Sequence, residues 1–351
     1  MSSAPPLSRS RAHRFGRATL VGCAAVAIAA QLVVLGAVGW AAANPRTVID
    51  HWTVARFTPS GEVQSLADRA GMSEQGRFVF SASRPVIVDD RDFADSCTND
   101  EPGIGVLGCF TRPEGRIYLF PIASPELEGL QAVVAAHEML HAVWDRMADD
   151  ERAALVEPLE EAFAALGPDH ELVERIALYE DSDPQSRIPE LYAILGSEVP
   201  TLPAVLEAHY AGWFSDRDAV TTLYASATSV FRELDARLAS LQDDIAALGA
   251  RIEAERAAFA ATSEQLAADI DDFNTRADTP GAFDTIDAFD EERAEILARQ
   301  AALEEARTAL NAAIDDYNAL LVELEDLNGE AAALNRAINV VPEPLPTEDA
   351  G

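Results

Sequence analysis

The chain has 351 residues, of which 60 are acidic and 26 basic, for a formal net charge of −34; a polyanion of this kind is repelled by nucleic acid and by anionic lipid. Every basic side chain is arginine, and three cysteines are too few for a small disulfide scaffold. With 48% hydrophobic and 25% charged residues, the composition argues against global disorder and predicts one or two domains with a sizeable core.

Residues 1–17 form a basic tail in which Arg9, Arg11, Arg14 and Arg17 stand without an acidic residue. From Ala18 to Ala43 the only strongly polar side chain is Gln31. An apolar run of about 25 residues is long enough to cross a bilayer, and the arginine bias predicts a cytoplasmic N-terminus with the main domain outside. Residues 18–43 are therefore expected to be a transmembrane signal anchor of a single-pass cell-membrane protein. The alternative is a cleaved signal peptide with Ala41-Ala42-Ala43 at its cleavage site, although the apolar part of such a peptide is typically only about 7–15 residues. Leu20-Val21-Gly22-Cys23 has the look of a lipoprotein box, but it precedes its apolar run rather than following it, so Cys23 reads as an ordinary membrane residue.

Residues 44–224 read as a mixed globular domain. Ser60 caps a short helix that ends near Gly71, and Phe78 to Ser81, Pro85 to Val88 and Arg116 to Phe120 have the β-branched and aromatic content of short strands. Cys97 and Cys109 flank a loop with Pro102, Gly103, Gly105 and Gly108. In an oxidising compartment they are expected to form a disulfide. Ser124 and Pro125 are an N-cap and first-turn pair opening a long helix to about Met147, and its stretch Ala132 to Val143 is apolar on nearly all sides, as in a core helix.

Within that helix lies His137-Glu138-Met139-Leu140-His141. The i, i+4 spacing sets both imidazoles on one face, where they can share a tetrahedral Zn²⁺. Glu138, beside the first histidine, is placed to act as general base on the water that zinc activates and then to protonate the leaving amine. Two imidazoles and a carboxylate in a buried helix need partners, and a metal supplies them. A catalytic zinc takes three protein ligands, and Glu190, Glu198 and His209 are the downstream candidates for the third. Pro189 suits the first helical position and Gly196 a helix end, which would fix Glu190 in the first turn among the apolar Leu191, Tyr192, Ile194 and Leu195. Glu198 follows Gly196 and reads as a loop or capping residue.

On the residues 137–141 and the strand-then-helix order leading into them, the chain resembles the zincin metallopeptidases. It departs from the metzincins, having Trp144 where they place glycine and Met147 at their third-ligand position. It is similar instead to the gluzincins, and that resemblance implies an α+β zincin-like metallopeptidase domain, Zn²⁺ as cofactor, a peptide or protein substrate, and a glutamate ligand in a Glu-x-x-Ala setting, matched by Glu190-Leu191-Tyr192-Ala193. Where many gluzincins carry an aspartate four residues after that glutamate this chain has Ile194, and Asp145, one turn beyond His141, is the candidate substitute. Leu206 to Tyr210 and Trp213 to Arg217 read as a helix dense in aromatics. There His209 or Tyr210 could polarise the scissile carbonyl, although aromatics at helical spacing equally read as core. Both roles remain open for His209.

From about Ser226, apolar residues alternate by three and four through Phe231, Leu234, Leu238, Leu241, Ile245, Leu248 and Ile252, continuing to Phe273. After a break at Asp278-Thr279-Pro280-Gly281 a second run follows, with Ile296, Leu303, Leu310, Tyr317 and Leu324 in one seam position. Two helices of roughly 50 residues joined by a short loop imply an antiparallel coiled-coil hairpin over 225–340, each arm about 75 Å long. Glu255 and Thr262 interrupt its seam and mark a candidate partner site. Residues 341–351 read as a disordered acidic tail. Two functions follow: a membrane-anchored extracytoplasmic zinc peptidase, or an extracytoplasmic interaction scaffold in which the hairpin is the working part and the zinc site is structural or inactive. Neither involves nucleic acid.

Overall fold

The structure, a computed structural model, describes residues 29–97, 107–168, 170–173, 175–176 and 185–338. The basic tail 1–17, residues 18–28 with Cys23, the loop residues Pro102, Gly103 and Gly105, and the acidic tail 341–351 lie outside them. By internal contacts the chain divides into two units, one of residues up to Pro121 with Leu130–Leu223, the other of Ile122–Gly129 with Tyr224 onward.

The first unit is mainly helical, which overturns the expected α+β zincin-like architecture. Its helices are α1 (Ala29–Ala43), α2 (Pro45–Val54), α3 (Gly61–Arg69), α4 (Glu74–Ala82), α5 (Asp90–Ser96), α6 (Leu130–Arg146), α7 (Asp149–Ala164), α8 (Arg187–Glu198) and α9 (Ala204–Tyr210), followed by the start of α10 (Arg217–Ala277). Among the described residues the only strands are β1 (Val86–Ile87), β2 (Gly108–Thr111) and β3 (Arg116–Leu119), in the order β1-β3-β2. β1 pairs with β3 in parallel and β2 pairs with β3 antiparallel, with Gly108 opposite Leu119.

The strand expected over Phe78 to Ser81 is part of α4. Ser73 opens that helix by accepting the Gly76 N–H, and Gly76, Val79 and Phe80 are its buried face. That spacing of three and four is helical, and it outweighs the local β preference of the aromatic residues. Ser60 caps α3 as expected, accepting the Val63 N–H at 3.2 Å. The long helix expected from Ser124 is instead a 3₁₀ turn, Pro125–Leu127, and then α6 starting at Leu130; Gly129 stands at the break. The aromatic segment is likewise not one helix: α9 stops at Tyr210 and α10 begins at Arg217. The turn between them is clasped from the α3–α4 link, through Ser73 N–H to the Trp213 carbonyl at 2.8 Å and Ser215 N–H to the Gly71 carbonyl at 2.9 Å.

The expected transmembrane anchor, residues 18–43, is described only from Ala29 onward. No described helix is by itself long and apolar enough to cross a membrane; α1 and α2 pass together by length and composition, but they are bent by 95°. In α1, Leu32, Val33, Val34, Leu35, Val38 and Trp40 are all exposed.

Cys97 and Cys109 form the expected disulfide, their Cα atoms 5.9 Å apart, and it ties the end of α5 to β2. The core centres on α6, whose Ala132, Ala135, Ala136, Met139, Leu140 and Ala142 are fully buried. α8 lies against it with Leu191, Tyr192, Ala193 and Leu195 equally buried.

The second unit is built on two long helices, the remainder of α10 and α11 (Ile286–Ile338). They run antiparallel: Arg237 pairs with Glu330 at 3.8 Å, Asp269 with Arg299 at 2.6 Å, and Arg276 with Glu292. Gly281, at φ 79°, turns the chain between them, and Phe273, Phe283 and Phe289 pack their rings 5.1–5.6 Å apart beside that turn. Leu234, Leu241, Ile252, Leu266 and Phe273 of α10 and Ala313, Leu327 and Leu334 of α11 are buried, while Glu255 is half-buried and Thr262 exposed.

Candidate metal centre

Two glycines let neighbouring elements approach α6 at the motif. A Cβ on Gly108 of β2 would fall 2.5 Å from Val134 Cγ1 and 3.0 Å from Glu138 Cγ, and one on Gly196 of α8 would fall 2.6 Å from Leu140 Cδ1. β2 and α8 therefore reach the motif helix more closely than any side chain would permit. α6 is fixed at its ends as well. Gln131 donates to the Phe120 carbonyl at 3.0 Å, and Arg146 grips Asp50 of α2 through two bonds of 2.9 and 3.0 Å.

With α8 so placed, His137, His141 and Glu190 converge. The two Nε2 atoms are 3.0 Å apart, His137 Nε2 is 3.4 Å from Glu190 Oε2, and His141 Nε2 is 3.2 Å from Glu190 Oε1. One ligand atom from each residue can be chosen so that all three lie within 4.8 Å of one another, a cluster that could hold a metal ion. Glu190 is buried, and its Oε2 has no hydrogen-bond partner, although burying an uncompensated carboxylate oxygen is costly. Burial alone would raise the Glu190 carboxyl, but the adjacent His141 and His137 imidazoles outweigh it and hold the group well below the usual carboxylate range. His137 is pushed down from its ordinary value, chiefly by burial. Coordination uses the ionised carboxylate and neutral imidazoles, so a metal would displace any imidazole proton facing Glu190.

Glu138, buried on the same helix, lies next to the first histidine with its stem against Gly108. Glu198 is the last residue of α8, not a loop residue. Gly196 does not end the helix; it makes room for Leu140 and Tyr210. Glu198 turns its Oε1 to His137 Nδ1 at 3.7 Å and receives Arg175 Nη2 on both oxygens at 2.6 Å. Asp145, the candidate substitute for the missing aspartate, is engaged by Arg46 at 2.9 Å and by Arg112 at 3.3 Å. Pro189 is the third residue of α8 rather than its first, a position where the missing N–H is equally harmless.

His209 is not one of the three converging residues. Its Nε2 lies 2.9 Å from the Tyr192 hydroxyl and 3.4 Å from Trp213 Nε1. The indole can only donate, so Nε2 is the accepting nitrogen, and burial pushes the ring down from its ordinary value. Tyr210 is fully buried and donates to the Tyr192 carbonyl at 2.7 Å. Arg175, Gly108 and the Tyr192 hydroxyl were not singled out from sequence. The eight-residue spacing of Glu190 and Glu198 on one helix is the signal that would have joined them on one face; nothing local marks Gly108, whose importance arises from the packing of β2 on α6.

Comparisons with protein-family models, with curated proteins and with solved structures find no match.

Proposed function

We propose that the protein is a zinc-dependent peptidase with a gluzincin-type ligand set, held at the cell membrane by its N-terminal apolar segment with the main domain extracytoplasmic. The observation that carries this reading is the convergence of His137, His141 and Glu190, with a buried Glu190 oxygen that no hydrogen bond satisfies and Glu138 next to His137 in the chain. Ligands about 2.0–2.1 Å from a tetrahedral zinc stand about 3.3 Å from one another; the two histidine Nε2 atoms, 3.0 Å apart, are close to that edge, and each faces a different oxygen of Glu190, at 3.4 Å for His137 and 3.2 Å for His141. Two nitrogens and one carboxylate oxygen are also the donor set of a catalytic zinc rather than of calcium or magnesium. Zinc, when bound, supplies the Lewis-acid charge that polarises water and carbonyl.

The remaining work falls to the chain. Glu138 takes the proton of the attacking water and delivers it to the departing amine. Glu198 faces the distal nitrogen of His137 and favours the orientation that directs Nε2 into the cluster. β2 is an edge strand, and among the described residues its outer side is unpaired, so its backbone beside Glu138 can accept an extended peptide as an added strand. The Cys97–Cys109 bond supports an oxidising compartment.

The test is metal analysis together with a peptide-library assay of the full chain and its Glu138→Gln variant. The variant should keep its metal and lose cleavage by about 10²–10⁴-fold, because an amide cannot accept the proton. Cleavage at the parental rate would remove Glu138 from the mechanism. A second reading, an interaction scaffold, is favoured by the long antiparallel helices of 61 and 53 residues, read as a coiled-coil hairpin. It would be preferred if both proteins bound metal and neither cleaved any peptide.

A further inference from the structure

α2 has two faces of different character. On one side Asp50 is buried beneath Arg146, and Arg46 reaches Asp145 of α6 at 2.9 Å, so this side is bound to the core. On the other side Val48, Ile49 and Trp52 are 40%, 58% and 61% exposed. At 100° per residue these three lie in one stripe with Pro45 and Arg56. Arg56 sets its guanidinium 3.9 Å from the centre of the Trp52 ring. A helix fixed by a charged face, with a valine, an isoleucine and a tryptophan turned outward, is unfavourable against water.

What precedes α2 in the chain indicates what covers it. The apolar run that starts at Ala18 leads through α1, apolar and exposed all round, into α2 with only Asn44 between, and there the chain turns by 95°. A helix leaving an apolar solvent at a right angle lies along the surface of that solvent. Tryptophan is enriched at membrane interfaces and arginine keeps its charged head in the wet layer, as Trp40, Trp52 and Arg56 could do here.

We infer that α2 is an interfacial helix whose Val48–Ile49–Trp52 face lies in the headgroup boundary of a zwitterionic phospholipid bilayer. It thereby fixes the side of the metal-bearing unit that faces the membrane. This rests on the membrane location proposed above. The lipid is zwitterionic because the net charge of −34 opposes an anionic surface. The occupant is lipid rather than a protein partner because the stripe follows the apolar segment after only Asn44.

The experiment uses the full chain carrying Cys23→Ser, so that with the disulfide closed a single introduced cysteine takes a nitroxide label. Ile49→Cys is compared with Glu62→Cys on the exposed face of α3, after reconstitution in phosphatidylcholine vesicles recovered by flotation. At position 49 the label should collide with oxygen severalfold more than with a water-soluble nickel chelate, and at position 62 the ratio should be reversed. If the protein floats but position 49 favours the nickel chelate as position 62 does, α2 lies in water and the inference fails alone. If the protein does not float, the membrane location fails and the inference falls with it.

Discussion

Replacing Gly196 by alanine tests whether the closeness of α8 to α6 builds the metal centre. The new methyl would stand 2.6 Å from Leu140 Cδ1 and 2.6 Å from Tyr210 Cε1, whereas carbon atoms rest about 3.5–4.0 Å apart. The overlap is thus about 1 Å on each side. Leu140 and Tyr210 are both fully buried, and the Tyr210 hydroxyl is pinned to the Tyr192 carbonyl, so α8 must retreat and carry Glu190 with it. Overpacking of this kind costs about 1–3 kcal/mol, offset by about 0.5–1 kcal/mol from the better helix propensity of alanine, for a net loss of up to about 2.5 kcal/mol. The control is Gly329→Ala in α11, where a Cβ meets nothing within 4 Å and the propensity gain of about 0.5–1 kcal/mol should appear alone. Urea unfolding should therefore shift in opposite directions for the same chemical change. Metal bond lengths tolerate only about 0.2 Å, so Gly196→Ala should also lose metal affinity while Gly329→Ala keeps it. A Gly196→Ala protein as stabilised as Gly329→Ala, with parental metal affinity, would refute the packing argument.

Two further expectations concern the polar groups. Glu198→Gln should lower metal affinity about 10–100-fold, the effect of removing an outer partner from a ligand histidine, and Glu190→Ala should lower it further. Competition against a chromophoric chelator measures both, and the reverse order would exchange their roles. Glu207 ties Arg217 to the α9 side of the first unit; burial would raise its carboxyl, but the Arg217 guanidinium outweighs this and holds it below 4.5. Its folded-state pKa is depressed, so the pair's contribution is present above pH 4.5 and disappears as the pH falls through the lower folded value. Glu207→Gln should accordingly cost stability at pH 7 and progressively less as the pH is lowered below 4.5, as read by urea unfolding across that range; a loss that stays constant throughout would show that packing, not charge, is what Glu207 supplies.

The parts of the site that a short stretch of sequence could reveal are those set by one element. The spacing of His137 and His141 is a property of α6 alone, and the apolar flanks of Glu190 mark a buried helix wherever α8 lies. The antiparallel helices were legible for the same reason, since each apolar repeat is internal to its own helix and Asp278 to Gly281 can only be a turn. The failures have a shared cause. Phe78 to Ser81 carries strand-like residues, yet Ser73 and the spacing of Gly76, Val79 and Phe80 make it helical. Gly196 reads locally as a stop but is required by Leu140 and Tyr210, which come from two other helices. Asp145 sits at a plausible spacing from His141, yet Arg46, 99 residues away in sequence, takes its carboxylate. A short window of sequence does not contain the neighbours that decide these positions.

The disulfide has a consequence for the integrity of the candidate centre. Gly108 lies against Glu138, and the next residue, Cys109, is bonded to Cys97 across a separation of 12 residues. A peptide bond broken anywhere between those cysteines would leave two polypeptides still joined beside Glu138, with β2 held both by the sulfur bridge and by β3. Nicking in this interval would therefore be silent until a reductant was added, and non-reducing and reducing gels of the same sample would disagree about whether the chain was whole.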